Sequence, residues 1–258
     1  MKIANDIALS IQRWPVWFRL GFSDTASKYR RSVLGPLWLT LGLAITVAGL
    51  GTFWSLIWKV DLSTFFPYLT AGLIVWNLLV GALIEGSHCF SQQASVIRVS
   101  PMPLFLYPLR LSMKLLIAFL HNILVFVLVA IVFDVSIKFT TFLVIPALIV
   151  LFTFSTSTSL LLGILGARYR DFPPIVESVV PLMFFLTPVL WFKEALGKRG
   201  IVAELNPLTH LIAIVREPML GKIPTFTNYA VAVGVTLAIL GLGLIAFSKT
   251  RNKISLWV

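Results

Sequence analysis

Two adjacent arginines, Arg30 and Arg31, are the residues of this 258-residue sequence best suited to bind an anion. They follow Tyr29 and precede Gly35-Pro36, and proline is favoured in the first turn of a helix. The pair is therefore predicted beside a helix N-terminus, where free backbone N–H groups and the helix dipole favour negative charge. A guanidinium matches two phosphate oxygens, so one interpretation is a phosphate clamp. The other is that both arginines only anchor the chain at a membrane surface.

The sequence has no arrangement typical of an enzyme or of an ATP-binding subunit. Paired carboxylates, metal-spaced histidines and a Gly-x-Ser-x-Gly motif are absent, and Cys89 is the single cysteine. No Gly-x-x-x-x-Gly-Lys-Ser/Thr run occurs, so the chain is not expected to bind ATP through a P-loop. Only Glu85 and Glu177 of the ten acidic residues lie at predicted span ends, which disfavours an ion-driven carrier. We expect no catalytic residue, metal or cofactor in this chain, and energy supplied by a separate subunit.

Composition indicates an integral membrane protein. The chain is 58% hydrophobic and 12% charged, against about 25% charged residues in soluble domains. The net charge of +11 does not indicate nucleic acid, because the basic residues flank apolar segments rather than form one stripe with aromatics. No linker separates a soluble module, so we expect a single membrane domain.

The predicted fold is an all-α bundle of six transmembrane helices. A bilayer core of about 30 Å requires roughly 20 apolar helical residues. Segments that meet this length lie near 34–58, 65–84, 108–133, 139–166, 175–192 and 229–247. The fifth is short and contains Pro181 and Pro188, so we expect it to be kinked or partly unwound.

The distribution of basic residues predicts both termini in the cytoplasm. With that orientation the inner segments hold Lys2, Arg13, Arg19, Lys28, Arg30, Arg31, Arg98, Arg110, Lys114, Arg168, Arg170, Lys249, Arg251 and Lys253. The two short outer loops hold only Lys59 and Lys138. The basic segment 193–228 nevertheless falls outside in this count. An even number of re-entrant segments, which enter the membrane and return to the same side, would leave the number of full crossings unchanged. Leu205–Val215 is apolar enough to supply such segments.

The N-terminal segment, residues 1–33, is predicted to precede a transmembrane domain over residues 34–258. Its apolar residues recur every three or four positions, at Ile3, Ile7, Ile11, Trp14 and Phe18. This spacing predicts an amphipathic helix that lies on the membrane and is divided at Pro15; the alternative is a solvated tail.

A polar segment between the second and third spans contains Gln92, Gln93 and Arg98. It is either a plain loop or a short helix parallel to the membrane that docks a cytoplasmic partner. Aromatic residues make up 13% of the chain and crowd the span ends. They are either interfacial belts or rings that stack on sugars in a pore.

Four motifs in order give the chain a family resemblance. They are Tyr29-Arg30-Arg31-Ser32-Val33-Leu34-Gly35-Pro36-Leu37-Trp38, Ala167-Arg168-Tyr169-Arg170-Asp171-Phe172, Thr187-Pro188-Val189 and Asn206-Pro207-Leu208-Thr209-His210-Leu211. Together they resemble the permease subunit of ABC-2 type polysaccharide exporters, of the Wzm type for O-antigen, with capsule and teichoic acid exporters as relatives. The resemblance covers nearly the whole chain.

This resemblance implies a homodimer in the bacterial inner membrane, bound to two ABC ATPase subunits of the Wzt type that carry ATP and Mg²⁺. The expected substrate is a polysaccharide linked to undecaprenyl diphosphate, and the segment between spans five and six is expected to form re-entrant gate helices. The implied diphosphate gate is Tyr29, Arg30 and Arg31. The implied coupling helix lies within residues 88–99, with Gln92, Gln93 and Arg98 as contacts. The implied channel aromatics are Trp38, Trp54, Tyr68 and Trp191.

Three other functions remain open on the sequence. An ABC-2 exporter of another cargo, such as teichoic acid, capsule, lipid or drug, has the same architecture. A membrane-embedded enzyme that acts on polyprenyl diphosphate carriers would also use Arg30 and Arg31. A passive pore would conduct without nucleotide.

Overall fold

A computed structural model describes residues 3–28, 35, 37–100, 102–136 and 138–258, without the side chains of residues 28, 196, 198 and 199. The described residues are mostly helical and include no β-strand. The helices are α1 Ile3–Gln12, α2 Trp14–Lys28, α3 Leu37–Trp58, α4 Leu62–Ser87, α5 Ala94–Val99, α6 Leu106–Val132, α7 Val144–Arg168, α8 Phe172–Leu186, α9 Ile201–Leu205, α10 Pro207–Met219 and α11 Phe226–Trp257. Short 3₁₀ turns cover Ser91–Gln93, Phe139–Leu143 and Lys193–Gly200. The predicted all-α membrane fold is confirmed.

Five helices of the described chain are long and apolar enough to cross a membrane: α3, α4, α6, α7 with the turn before it, and α11. Each overlaps a predicted span. The largest difference is at α11, which continues to Trp257 instead of ending near 247. Helical hydrogen bonds do not stop at the membrane surface, so the charged residues that end the apolar pattern extend the same helix.

The fifth predicted span, 175–192, corresponds to a shorter helix. α8 has 15 residues, which reach only about 22 Å at 1.5 Å per residue. It ends at Leu186 because Thr187 precedes Pro188 and takes an extended conformation, as residues before proline prefer. α8 alone is therefore too short to cross the bilayer, and the count of six crossings is not established by helix length.

The long helix α4 forms the centre of the bundle. It packs against α3, α6, α7, α8 and α10. Leu69, Ile74 and Leu79 on α4 are fully buried, whereas Ile45 and Leu56 on α3 are more than half exposed. The exposed apolar face of α3 must therefore be covered by lipid or by another subunit.

The N-terminal segment is helical, as predicted, and it breaks at Arg13 into α1 and α2. Ile3 and Ile7 of the predicted apolar face pack against the bundle. Ile11, Trp14 and Phe18 lie on its exposed side, while Asp6 is completely buried against the bundle. α2 packs along α6. The exposed apolar stripe is the face that a membrane surface would bind.

We call the end of the bundle that holds α1, α2 and residues 249–257 the terminal end, and the opposite end, with α9 and α10, the distal end. At the distal end α10 is largely buried and packs against α4, α7 and α11. The predicted apolar stretch Leu205–Val215 thus lies mostly in a helix that enters the bundle. That this helix is re-entrant in the membrane stays a prediction.

Candidate functional site

A polar cavity of about 360 Å³ lies at the terminal end between α2, α4, α6 and the turn Ser91–Gln93. Two cations of α6, Arg110 and Lys114, line it. They are four residues apart and therefore share one face of the helix. Two carboxylates from other helices, Asp24 of α2 and Glu85 of α4, also line the cavity.

Ion pairs connect these four side chains across the cavity. Arg110 Nε and Nη2 donate to the two oxygens of Asp24 at 2.7 and 2.6 Å. The third nitrogen, Nη1, donates to Gln93 Oε1 at 2.9 Å. Lys114 Nζ donates to Glu85 Oε2 at 2.6 Å. The cavity thus joins the N-terminal helices, the central helix α4 and the segment before α5.

The predicted coupling segment, residues 88–99, folds as the turn Ser91–Gln93 and the short helix α5. Gln92 is exposed, Gln93 faces Arg110, and Arg98 Nε donates to a backbone oxygen of Val258 at 2.8 Å. Ile97 is buried and fixes the segment to the bundle, while Val99 is 85% exposed. An exposed valine on an anchored helix leaves an apolar contact surface open.

Asp6 connects three elements at the terminal end. Its carboxylate accepts hydrogen bonds from the backbone N–H of Leu104 at 3.3 Å and of Phe105 at 3.0 Å, just before α6. It also accepts one from Arg251 Nε of α11 at 2.6 Å. A carboxylate at a helix N-terminus satisfies unpaired N–H groups and opposes the positive end of the helix dipole. Asp6 therefore fixes α1 to α6 and α11.

Replacing Asp6 by asparagine is expected to destabilise the protein by about 3 kcal/mol, because the substitution removes the charge from a buried ion pair. Thermal unfolding of the detergent-purified protein measures this change. The control Asp171→Asn, at an exposed position, should change stability by less than about 0.5 kcal/mol. Equal midpoints for both variants would contradict the role given to Asp6.

The predicted diphosphate gate, Tyr29, Arg30 and Arg31, lies outside the described residues. The helices that flank it are described: α2 ends at Lys28 and α3 begins at Leu37. Asp24, in the last turns of α2, already lines the terminal-end cavity. The gate assignment remains a prediction.

The predicted channel aromatics fall into separate places. Trp38 is 46% exposed in the first turn of α3. Trp54 is sixteen residues further along α3, or about 24 Å, and packs edge-on against Trp58 at 6.2 Å. Tyr68 meets the backbone of Trp191, because Tyr68 Oη donates to the Trp191 carbonyl oxygen at 2.9 Å, whereas the Trp191 ring nitrogen donates to the carbonyl oxygen of Phe185 at 3.1 Å. The structure therefore does not bring the four rings into one cluster within a single subunit.

At the distal end a second cavity of about 540 Å³ lies between α4, α10, α11 and the segment that leads into α10. Arg216 of α10 is buried there, and its Nη1 donates to the carbonyl oxygen of Pro188 at 2.6 Å. Its guanidinium lies 4.1 Å from the ring centroid of Tyr68. The ring of Phe192 also contacts the Tyr68 ring, with the two ring centroids 4.4 Å apart. Tyr68 and Arg216 thus hold the chain that follows α8.

A hydrogen-bonded chain of polar side chains extends from the same cavity. His210 Nδ1 lies 2.8 Å from Asn228 Oδ1, and Asn228 Nδ2 donates to Glu217 Oε1 at 3.2 Å. Burial raises the pKa of the Glu217 carboxyl above its usual range. These contacts connect α10 to the first turn of α11.

Sequence reasoning missed Arg110, Asp24 and Arg216 as functional candidates. Arg216 carried a usable signal, because an arginine directly after the apolar run Leu205–Val215 is a candidate buried charge. Asp24 and Arg110 carried none, since they are 86 residues apart. Within the described residues no group of three or more His, Cys, Asp or Glu side chains is arranged to hold a metal ion.

Comparison with known proteins identifies relatives of this chain. The profile of the family described as "ABC-2 type transporter" matches residues 17–220. An O-antigen export system permease protein RfbA of Klebsiella pneumoniae is 23% identical over 236 residues, which cover 89% of this chain and 90% of that protein. A second K. pneumoniae protein of the same name is 24% identical over the same shares. The protein of that name from Myxococcus xanthus is 20% identical over 73% of this chain and 74% of its own length.

The family match includes α3 to α10, and with them most of the lining of both cavities. Together with the helical membrane architecture, it identifies the membrane subunit of a transporter. This chain belongs to the ABC-2 type transporter family.

Proposed function

We propose that this chain is the permease subunit of an ATP-driven exporter that moves a lipid-diphosphate-linked polysaccharide of O-antigen type across the bacterial inner membrane. The observation that carries the proposal is the similarity to O-antigen export permeases along about nine tenths of both chains. A likeness of that extent includes both ends of the bundle and not only one conserved module. The lipid carrier is undecaprenyl diphosphate or a close chemical equivalent.

ATP is hydrolysed by two separate ABC ATPase subunits, which hold ATP and Mg²⁺. The absence of a P-loop motif from the sequence supports this division. The ATPase docks on the coupling segment, where Gln92, Arg98 and the exposed Val99 form the contact surface. Nucleotide-driven closure of the ATPases moves this segment and, through it, the membrane helices.

Two copies of the chain form the exporter, and the polymer passes between them. The exposed apolar face of α3 supports a homodimer, because a second copy is one of the two things that can cover it. Trp38, Trp54, Tyr68 and Trp191 are the proposed aromatic contacts of the glycan. Of these four, Trp38 offers the most exposed side chain, whereas the ring of Tyr68 is already packed between Arg216 and Phe192.

Both ends of the chain lie in the cytoplasm, and the contact between Asp6 and Arg251 supports this topology. Five crossings would separate α1 from the end of α11 by the whole bilayer. The contact between the two supports an even number of crossings. In this proposal the segment from α8 to Phe192 completes the sixth crossing, and α9 and α10 dip in and return on the outer side as gate helices.

The test is transport in sealed vesicles that contain this chain and its partner ATPase, with lipid-linked polysaccharide on the ATPase side. We expect ATP-dependent appearance of the glycan on the other side, and none with an ATPase that binds but does not hydrolyse ATP. Export that continues with the inactive ATPase would disprove the mechanism.

The same preparation separates the competing functions. Mass measurement of lipids that copurify with the chain distinguishes a glycan carrier from another lipid or a drug. Turnover of lipid diphosphate by the purified chain alone would identify an enzyme. Ion conductance without nucleotide would identify a passive pore.

A further inference from the structure

We infer that Arg110 is the positioning residue that transmits movement of the coupling segment, residues 88–99, to α2. The direction of this transmission, from the ATPase to α2, rests on the proposed function. The link itself is argued from the contacts of one side chain, because a single guanidinium holds both elements.

The guanidinium of Arg110 is held at two ends. One end forms a bidentate pair with Asp24, at donor–acceptor distances of 2.7 and 2.6 Å, and the other donates the hydrogen bond to Gln93 at 2.9 Å. The guanidinium is planar and its nitrogens are rigidly connected. A displacement of Gln93 therefore changes the orientation of the fork that holds Asp24.

The ion pair between Arg110 and Asp24 is largely shielded from water. Its side chain is only 15% exposed, and that of Asp24 28% exposed, so water screens the pair weakly. Gln93 belongs to the turn that begins the proposed docking segment. Asp24 lies in the last turns of α2. Arg110 thus joins the segment proposed to contact the ATPase to the N-terminal helix α2.

A second ion pair in the same cavity provides the matched control. Lys114 and Glu85 join α6 to α4 at 2.6 Å, but neither side chain is part of α2 or of the coupling segment. Breaking this pair removes a charge pair from the same cavity without touching the proposed link. Its loss should affect packing and leave transmission intact.

The experiment measures export and ATP hydrolysis in the same vesicles for Arg110→Gln, Arg110→Lys and Lys114→Gln. For Arg110→Gln we expect ATP hydrolysis within about twofold of wild type and export per ATP lower by about tenfold, a typical size for a change in coupling. Arg110→Lys keeps the charge but not the fork, so it should be intermediate. Lys114→Gln should export normally per ATP. Equal losses in Arg110→Gln and Lys114→Gln, or no loss in either, would overturn the inference.

A charge exchange protects the test against a variant that merely misfolds. Asp24→Arg combined with Arg110→Asp restores the pair in reverse, and it should recover part of the export that either single change removes. Failure to recover any export while the double variant folds and binds the ATPase would count against the inference.

A measurement that needs no cargo keeps this inference separate from the proposed function. Spin labels at Ser23 on α2 and at Ser95 on α5, both exposed, report the distance between the two elements with and without trapped nucleotide. We expect a nucleotide-dependent movement of α2 in the wild-type complex and its loss in Arg110→Gln. If α2 responds equally in both, Arg110 is not the link, whatever the cargo is.

Discussion

Replacing Arg30 and Arg31 together by alanine is expected to stop export while the chain still inserts, assembles and binds its ATPase. The two arginines are adjacent in the sequence, between α2 and α3, and the sequence predicts them beside the start of a membrane-spanning helix. In that predicted position they would meet a diphosphate at the membrane surface, and two guanidinium groups supply most of the charge that neutralises it. Transport of lipid-linked glycan in vesicles measures the effect, and copurification with the ATPase measures assembly.

Two further variants decide between the clamp and plain anchoring of topology. Lysines at both positions should preserve topology but restore only part of the export, because lysine lacks the fork. The double change Lys249→Ala and Lys253→Ala removes the same charge from exposed positions near the end of α11 and should export normally. If the Arg30 and Arg31 double variant exports at the wild-type rate, both residues serve only as anchors.

Replacing Gly166 by alanine is expected to prevent correct packing of α7 against α4. A Cβ atom at this position would lie 2.0 Å from the carbonyl oxygen of Ser87, which is backbone and cannot rotate away. One of the two helices has to shift, and we expect a destabilisation of about 3 kcal/mol or more, at the upper end for overpacked sites. The yield of folded protein in detergent and its thermal unfolding midpoint measure this loss.

A helical glycine elsewhere in the chain is the control. Around Gly241 of α11, apart from the local backbone of the helix itself and the two neighbouring residues, no heavy atom lies within 4 Å of the position that an alanine methyl group would take. Gly241→Ala should therefore stabilise the helix by roughly 0.5–1 kcal/mol. A stable Gly166→Ala protein with an unchanged unfolding midpoint would contradict the close contact between α7 and α4 at Ser87.

The membrane architecture was predictable from sequence because hydropathy is a local property of each segment. The helix that starts at Leu37 and the one that ends at Val132 lie within a few residues of their predicted bounds. The amphipathic N-terminal segment was predictable for a related reason, since the spacing of Ile11, Trp14 and Phe18 matches the helical period. Resemblance to a family supplied the candidate gate and coupling residues, and the comparisons support the family.

Pairing between distant elements was not predictable in this way. Arg110 was counted among the inner-side basic residues that set topology, but its three hydrogen bonds connect α2, α6 and the coupling segment. Asp6 lies in the segment that was predicted to rest on the membrane surface, yet it is fully buried against α6 and α11. Which charge finds which partner depends on how helices pack, and helix periodicity does not specify that.

By itself the sequence determined a membrane bundle and its approximate spans, because both follow from the apolar length of each segment. Only the tertiary structure decided that Arg216 is buried over Tyr68, and that Asp24 and Gln93 share Arg110. The physical reason is that hydrophobic burial is nearly non-directional and sums along a segment, whereas a hydrogen bond requires two groups to meet within about 3 Å at a suitable angle.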